Sequence, residues 1–179
     1  MKSLNHIFLE NIKLTQSEAG ALRALGMFKG RQELFLIQSP EVLKTLKDRA
    51  MIESTESSNR IEGVIAPKDR IEEIVHKNSA PKNRSEQEIA GYRDALELIY
   101  ESGKQMSFTC NVILQLHSIL YRHIPNQGGR WKSADNQIRE IDRATNTYRI
   151  RFIPTSAFDT PKAMADLEEY YKYATSEIL

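Results

Sequence analysis

The chain has 179 residues, 40% hydrophobic and 27% charged, which suits one domain or one domain with an appendage and supplies enough apolar side chains for a core. Its net charge of +1 argues against a general nucleic-acid binder, whose phosphate contacts demand a basic excess. The single cysteine, Cys110, excludes an intramolecular disulfide, and neither a membrane-length apolar run nor an apolar leader is present, so the expected location is the cytoplasm.

Met1 to Leu14 offers only a candidate extended segment around Ile7, Phe8 and Leu9. Thr15-Gln16-Ser17-Glu18 is a capping box, and it predicts a helix with Leu22, Leu25, Phe28 and Phe35 or Leu36 at near-helical spacing. Gly26 and Gly30 each cost about 1 kcal/mol against Ala in a helix interior, so a break is expected near Gly30 if anywhere. Ser39-Pro40-Glu41 is a second start signal: Ser as N-cap, Pro at the first helical position and an acid in the first turn. The helix it opens is expected to turn Leu43, Leu46, Ala50 and Ile61 inward, with Lys44, Lys47, Asp48 and Glu56 outward.

That helix delivers Ser58-x-x-x-Glu62-Gly63 at its far end. Ser58 and Glu62 stand one turn apart, so a hydroxyl and a carboxylate project from one face, and Gly63 is the expected stop. A carboxylate there is locally unfavourable, because the C-terminal end of a helix already carries partial negative charge.

Gly63 to Pro67 leads to a short amphipathic helix around Arg70 to His76, followed by Asn78 to Arg84, whose composition reads as a mobile linker. His76 has no second His or Cys at ligand spacing and predicts no metal site. Ser85-Glu86-Gln87-Glu88 is another capping box, opening a helix with Ile89, Tyr92, Leu96 and Ile99 on one face. Ser107 to Thr109 caps the next, where Ile113, Leu116, His117 and Leu120 share a stripe. Cys110 and His117 lie in apolar helical surroundings with no activating partner in view, and read as packing residues rather than nucleophile and base. Asn126 to Trp131 is turn-rich, Gln137 to Ile141 and Thr147 to Ile153 alternate around Ala144-Thr145-Asn146 as a β-hairpin, and Thr160-Pro161 starts a last helix with Met164, Leu167, Tyr171 and Ala174 on one face.

Several of these stretches resemble one family. Ser58-x-x-x-Glu62-Gly63 looks like the inhibitory motif Ser/Thr-x-x-x-Glu-Gly/Asn of Fic (filamentation induced by cyclic AMP) domain proteins, in the form where that motif precedes the core. Glu88 to Leu96 resembles the family's first core helix, Ile113 to His117 the next, Gly128-Gly129-Arg130 its Gly-x-x-Arg turn, and Phe152-Ile153-Pro154 the end of its flap hairpin. The resemblance implies a mainly α fold, an incomplete Fic-like helical bundle with one β-hairpin flap. Residues 1–83 would form an N-terminal helical region with inhibitory helix and linker, and residues 84–179 the first part of the core.

The family's loop, His-Pro-Phe-x-x-Gly-Asn-Gly-Arg, is absent: no His here precedes Pro, and there is no Gly-Asn-Gly. The resemblance therefore implies the N-terminal inhibitory and target-docking portion of a protein adenylyltransferase, inactive as it stands and without catalytic residues or cofactor of its own. ATP and Mg2+ belong to the complete family protein, which transfers AMP to a hydroxyl of a protein substrate. By carry-over, Glu62 is the inhibitory glutamate, answering the loop's second Arg and blocking the ATP γ-phosphate; Ser58 and Gly63 fix the helix end. Ile138, Ile141, Tyr148, Ile150 and Phe152 belong to the flap on which a target docks by strand addition. No membrane or nucleic-acid partner is implied, and a homo-oligomer stays open. The alternative is a stand-alone antitoxin-like module that inhibits or scaffolds a separate partner, which the core helices and flap disfavour; the bland one is a helical interaction domain with a fortuitous motif.

Overall fold

The structure, a computed structural model, describes residues 6–38, 40–77, 79–142 and 144–178. It divides into two compact units that interleave in sequence: Met1–Glu10, Met106–Ser118 and Gly129–Leu179 form one, and Asn11–Gln105 with Ile119–Gly128 the other. Asn83, where sequence texture drew a boundary, lies inside the second unit.

The second unit is helical. Thr15 opens α2 (Gln16–Gln38), which follows the short α1 (His6–Glu10) of the other unit. The Thr15 hydroxyl accepts from the Glu18 amide at 3.2 Å and the Glu18 carboxylate accepts from the Thr15 amide at 2.7 Å, the reciprocal bonds of a capping box. The helix continues unbroken through Gly26 and Gly30. Phe35 and Leu36 side chains, and the Ser39 cap, lie outside what is described.

In α3 (Pro40–Ile61) the inward face differs from expectation. Leu46 and Ile61 are 53% and 82% exposed and Ala50 is exposed, whereas Met51, Thr55 and Asn59, one turn apart in succession, are buried. Apolarity alone does not choose a face; the elements packed alongside do, and α3 lies against α4 (Lys68–Lys77) and α5 (Arg84–Ser102). Between them Ile71, Ile74, Ile89 and Ala90 form the core, flanked by Ile52, Val64, Ala66 and Val75. Ile74 and Ile89 are fully buried, each stabilising the fold by about 1.5–3 kcal/mol.

Within the segment expected to be a mobile linker, Ala80, Lys82 and Asn83 are instead tied down, while Asn78 lies outside the described residues. Glu86, 5% exposed, accepts from the Arg70 guanidinium at 2.9 Å and the Lys82 amide at 2.8 Å, while Arg70 also donates to the Ala80 carbonyl at 2.7 Å. The N-cap of α5 is Asn83, two residues before the expected Ser85: its side chain accepts from the Glu86 amide at 3.0 Å. The Arg70 guanidinium holds the Glu86 carboxyl below its ordinary range. Further along α5, a Cβ on Gly91 would stand 2.0 Å from the Leu120 carbonyl oxygen, so only glycine permits that approach.

In the first unit, the segment expected to be extended at Ile7 to Leu9 is helical, as α1 beside α7 (Thr160–Ile178). Thr109 caps α6 (Cys110–Leu120), accepting from the Val112 amide at 3.2 Å. Strands β1 (Ile138–Asp142) and β2 (Thr147–Phe152) form the expected antiparallel hairpin. Phe108 packs on Tyr171 with ring centroids 4.4 Å apart, and beside them Glu168 accepts from the Cys110 amide at 2.7 Å and the Lys172 ammonium at 2.6 Å.

Lys172 first, then the Cys110 amide, lowers the Glu168 carboxyl from 4.5 to about 2. A carboxyl depressed by folding adds stability that is fully present above its unfolded value and is lost as pH falls through the folded one. The wild-type chain is therefore expected to lose more stability between pH 4.5 and about 2 than Glu168→Gln in paired denaturant titrations; parallel losses would contradict the assignment.

Candidate functional site

The last turn of α3 closes on Gly63, whose φ of 78° is the left-handed conformation that glycine adopts without Cβ strain. The Gly63 amide donates to the Arg60 carbonyl at 3.1 Å and the Val64 amide to the Asn59 carbonyl at 2.9 Å, the paired bonds of a Schellman motif. Glu62 is thereby the C-cap residue and is exposed. Its carboxylate sits at the negative end of the helix dipole, so its position is unfavourable by itself.

Tyr92 of α5 faces this turn. Its hydroxyl donates to the Ser58 hydroxyl at 2.9 Å and lies 3.3 Å from that of Ser54, one turn earlier on α3. The buried Asn59 side chain donates to the Thr55 carbonyl at 2.8 Å. Beside this network opens a cleft of about 430 Å3 lined by Asn59, Glu62, Val64, Glu88, Tyr92, Leu120 and Tyr121. The Glu88 carboxylate is paired with Arg84 at 2.9 Å, so the exposed charge is that of Glu62; with an amide, phenolic hydroxyls and no cationic side chain in its lining, the cleft suits a cationic group better than a phosphate.

Ser58, Glu62 and Gly63 are thus gathered at one helix end. From sequence Tyr92 belongs to the apolar face of its helix and Glu88 carries no site role; the available signal is Ser54 and Ser58 at spacing four, a hydroxyl pair that wants a partner. Cys110 is half-buried, and burial pushes its thiol up, away from the thiolate a nucleophile needs. His117 is half-buried in α6 and His76 is exposed in α4. Among the described residues no group of three or more His, Cys, Asp or Glu is placed to hold a metal.

The hairpin residues come together in the other unit. Ile141 pairs with Tyr148, Arg139 with Ile150 and Ile138 with Phe152, the last across an irregularity between Ile138 and Arg139. The extra residue, Arg151, lies on β2, so β1 keeps its alternation and Ile138 falls on the face opposite Ile141, with Phe152 as its partner. Ile138, Ile141, Tyr148, Ile150 and Phe152 are all exposed; Ile141, Tyr148 and Ile150 share one face, with the Arg139 guanidinium 4.7 Å over the Tyr148 ring. The other face carries Glu140, paired with Arg149 at 2.8 Å and Arg151 at 3.6 Å. Asp142 closes the turn by accepting from the Ala144 amide at 2.8 Å, a bond that lowers its carboxyl below the ordinary range.

Because no neighbouring atom lies within 4 Å of a Cβ built on Gly63, Gly63→Ala isolates the backbone term. The variant is expected to lose about 1 kcal/mol in urea unfolding, with the loss confined to the left-handed strain; an unchanged midpoint would contradict the motif.

No family model matches the sequence, and no curated protein matches it. Solved structures do. A Fic domain containing signaling protein from Bacteroides thetaiotaomicron is similar at 24% identity with a TM-score of 0.63, over 78% of this chain and 53% of that one. A Fic family protein from Desulfovibrio desulfuricans is similar at 16% identity with a TM-score of 0.61, over 90% of this chain and 46% of that one. The chain thus spans about half the length of each. Its mostly helical architecture with a two-stranded hairpin is the fold it shares with these Fic-domain proteins.

Proposed function

We propose that these residues form the inhibitory and target-docking portion of a Fic-type protein adenylyltransferase, which moves AMP from ATP to a protein hydroxyl and releases pyrophosphate. The observation that carries the reading is Glu62: an exposed carboxylate at the C-cap of α3, where the helix dipole disfavours an acid, fixed there by the Gly63 turn and by Ser58. An acid so placed is stabilised by an incoming cation. In this reading the cation is the loop's second arginine, and the carboxylate occupies the ground of the ATP γ-phosphate, an electrostatic gate.

ATP does not fit the cleft beside Glu62, whose lining carries no cationic side chain to meet a polyphosphate, and without it Mg2+ has no phosphates to bridge there. No step through either is derived for this chain. The hairpin supplies the docking element: its strand edges offer backbone groups to an extended target segment, and its apolar face offers Ile141, Tyr148 and Ile150 to alternate side chains.

The antitoxin-like reading draws support from α2, where Leu22, Leu25, Phe28 and Leu34 are all more than half exposed, a surface that another chain would cover. The reading frame past Leu179 separates the two: continuation into His-Pro-Phe and Gly-Asn-Gly-Arg favours the first, a stop codon the second. In protein expressed from the complete frame, Glu62→Gly is expected to raise auto-adenylylation with radiolabelled ATP at least several-fold, and unchanged labelling would remove the inhibitory role.

A further inference from the structure

Resting on that reading, we infer that Tyr92 is the positioning residue that sets where the Glu62 carboxylate stands. The last turn of α3 has little hydrocarbon to hold it, since Ile61 is 82% exposed and the neighbouring inward positions are Thr55 and Asn59. Its register therefore depends on directional bonds. Tyr92 supplies two: a phenol has one proton and acceptor lone pairs, so in donating to Ser58 at 2.9 Å it stays free to accept from Ser54 at 3.3 Å.

One hydroxyl thus grips two successive turns of α3. A one-residue slip would rotate the helix by about 100° and move it by about 1.5 Å, breaking both bonds and carrying Glu62 off its face. The grip is firm because the residues around Tyr92 are fixed. Gly91 lets α5 approach the Leu120 carbonyl too closely for any Cβ, Arg93 donates to the Ile74 carbonyl at 2.6 Å and pairs with Asp94, and Asp94 meets His123 at 3.0 Å and Arg122 at 3.4 Å. The phenol transmits this rigid platform to the serines, and Glu62 follows Ser58 by one turn.

Amide hydrogen exchange on the chain tests the inference. Tyr92→Phe, which keeps the ring and removes the hydroxyl, is expected to speed exchange of the Glu62, Gly63 and Val64 amides about five- to tenfold while leaving Ile74 and Ile89 unchanged. Ser58→Thr should retain protection, and Ser58→Ala combined with Tyr92→Phe should add little to Tyr92→Phe alone. Unchanged exchange at residues 62–64, or a uniform rise through the core, would overturn it. In protein from the complete frame, Tyr92→Phe should raise auto-adenylylation in the Glu62 background and do nothing in Glu62→Gly; an equal rise in both also overturns the inference. A Glu62→Gly variant with no effect of its own sinks the functional reading instead, and the exchange data still decide the role of Tyr92.

Discussion

The hydroxyls of Ser54, Tyr92 and Ser58 hold the end of α3, and the rest of the candidate site inherits its geometry from them. Each such bond contributes only about 1 kcal/mol net, because the same groups bond to water when the helix lifts away. One layer deeper, Ile74 and Ile89 are held by full burial, a larger and non-directional term. The unit thus joins a stable apolar platform to a helix end kept in place by weak, directional contacts. A regulatory element drawn from the low-stability end of a structure has this character.

Charge follows the same logic. Glu86 accepts from Arg70, the Lys82 amide and the Asn83 side chain, bonds that tie Lys82 and Asn83 to the start of α5 despite the composition around them. Glu62, by contrast, stands exposed at the negative end of its helix, beside a cleft whose other carboxylate, Glu88, already has Arg84 as its partner. The hairpin divides its charges differently: Glu140, Arg149 and Arg151 occupy one side, leaving the apolar side uncovered. Arg139 over Tyr148 is the cation on that apolar side, a placement that discourages indiscriminate strand pairing.

What the sequence made legible was local. Thr15 with Glu18, Gly63, Thr109 and the alternation of the hairpin each carry their structural consequence within a few residues, and all formed as read. Features decided by other elements were not legible. The inward face of α3 is chosen by α4 and α5, so Met51, Thr55 and Asn59 displaced the more apolar Leu46 and Ile61. Asn83 rather than Ser85 caps α5 because Glu86 must also meet Arg70, sixteen positions away. The hairpin slip was not legible either: it lies on β2, where Arg151 has no partner in the register, and the alternation of Tyr148, Ile150 and Phe152 runs straight through it. Of the candidate site, Ser58, Glu62 and Gly63 were readable, whereas Tyr92 was hidden by its resemblance to an ordinary core aromatic.

The central claim is that Glu62 excludes a γ-phosphate, and nucleotide selectivity tests it most directly. In protein from the complete reading frame, titration calorimetry with Mg2+ present should show that Glu62→Gly tightens ATP binding while leaving ADP, which lacks the γ-phosphate, unaffected. Equal tightening of both nucleotides, or of neither, would contradict the account.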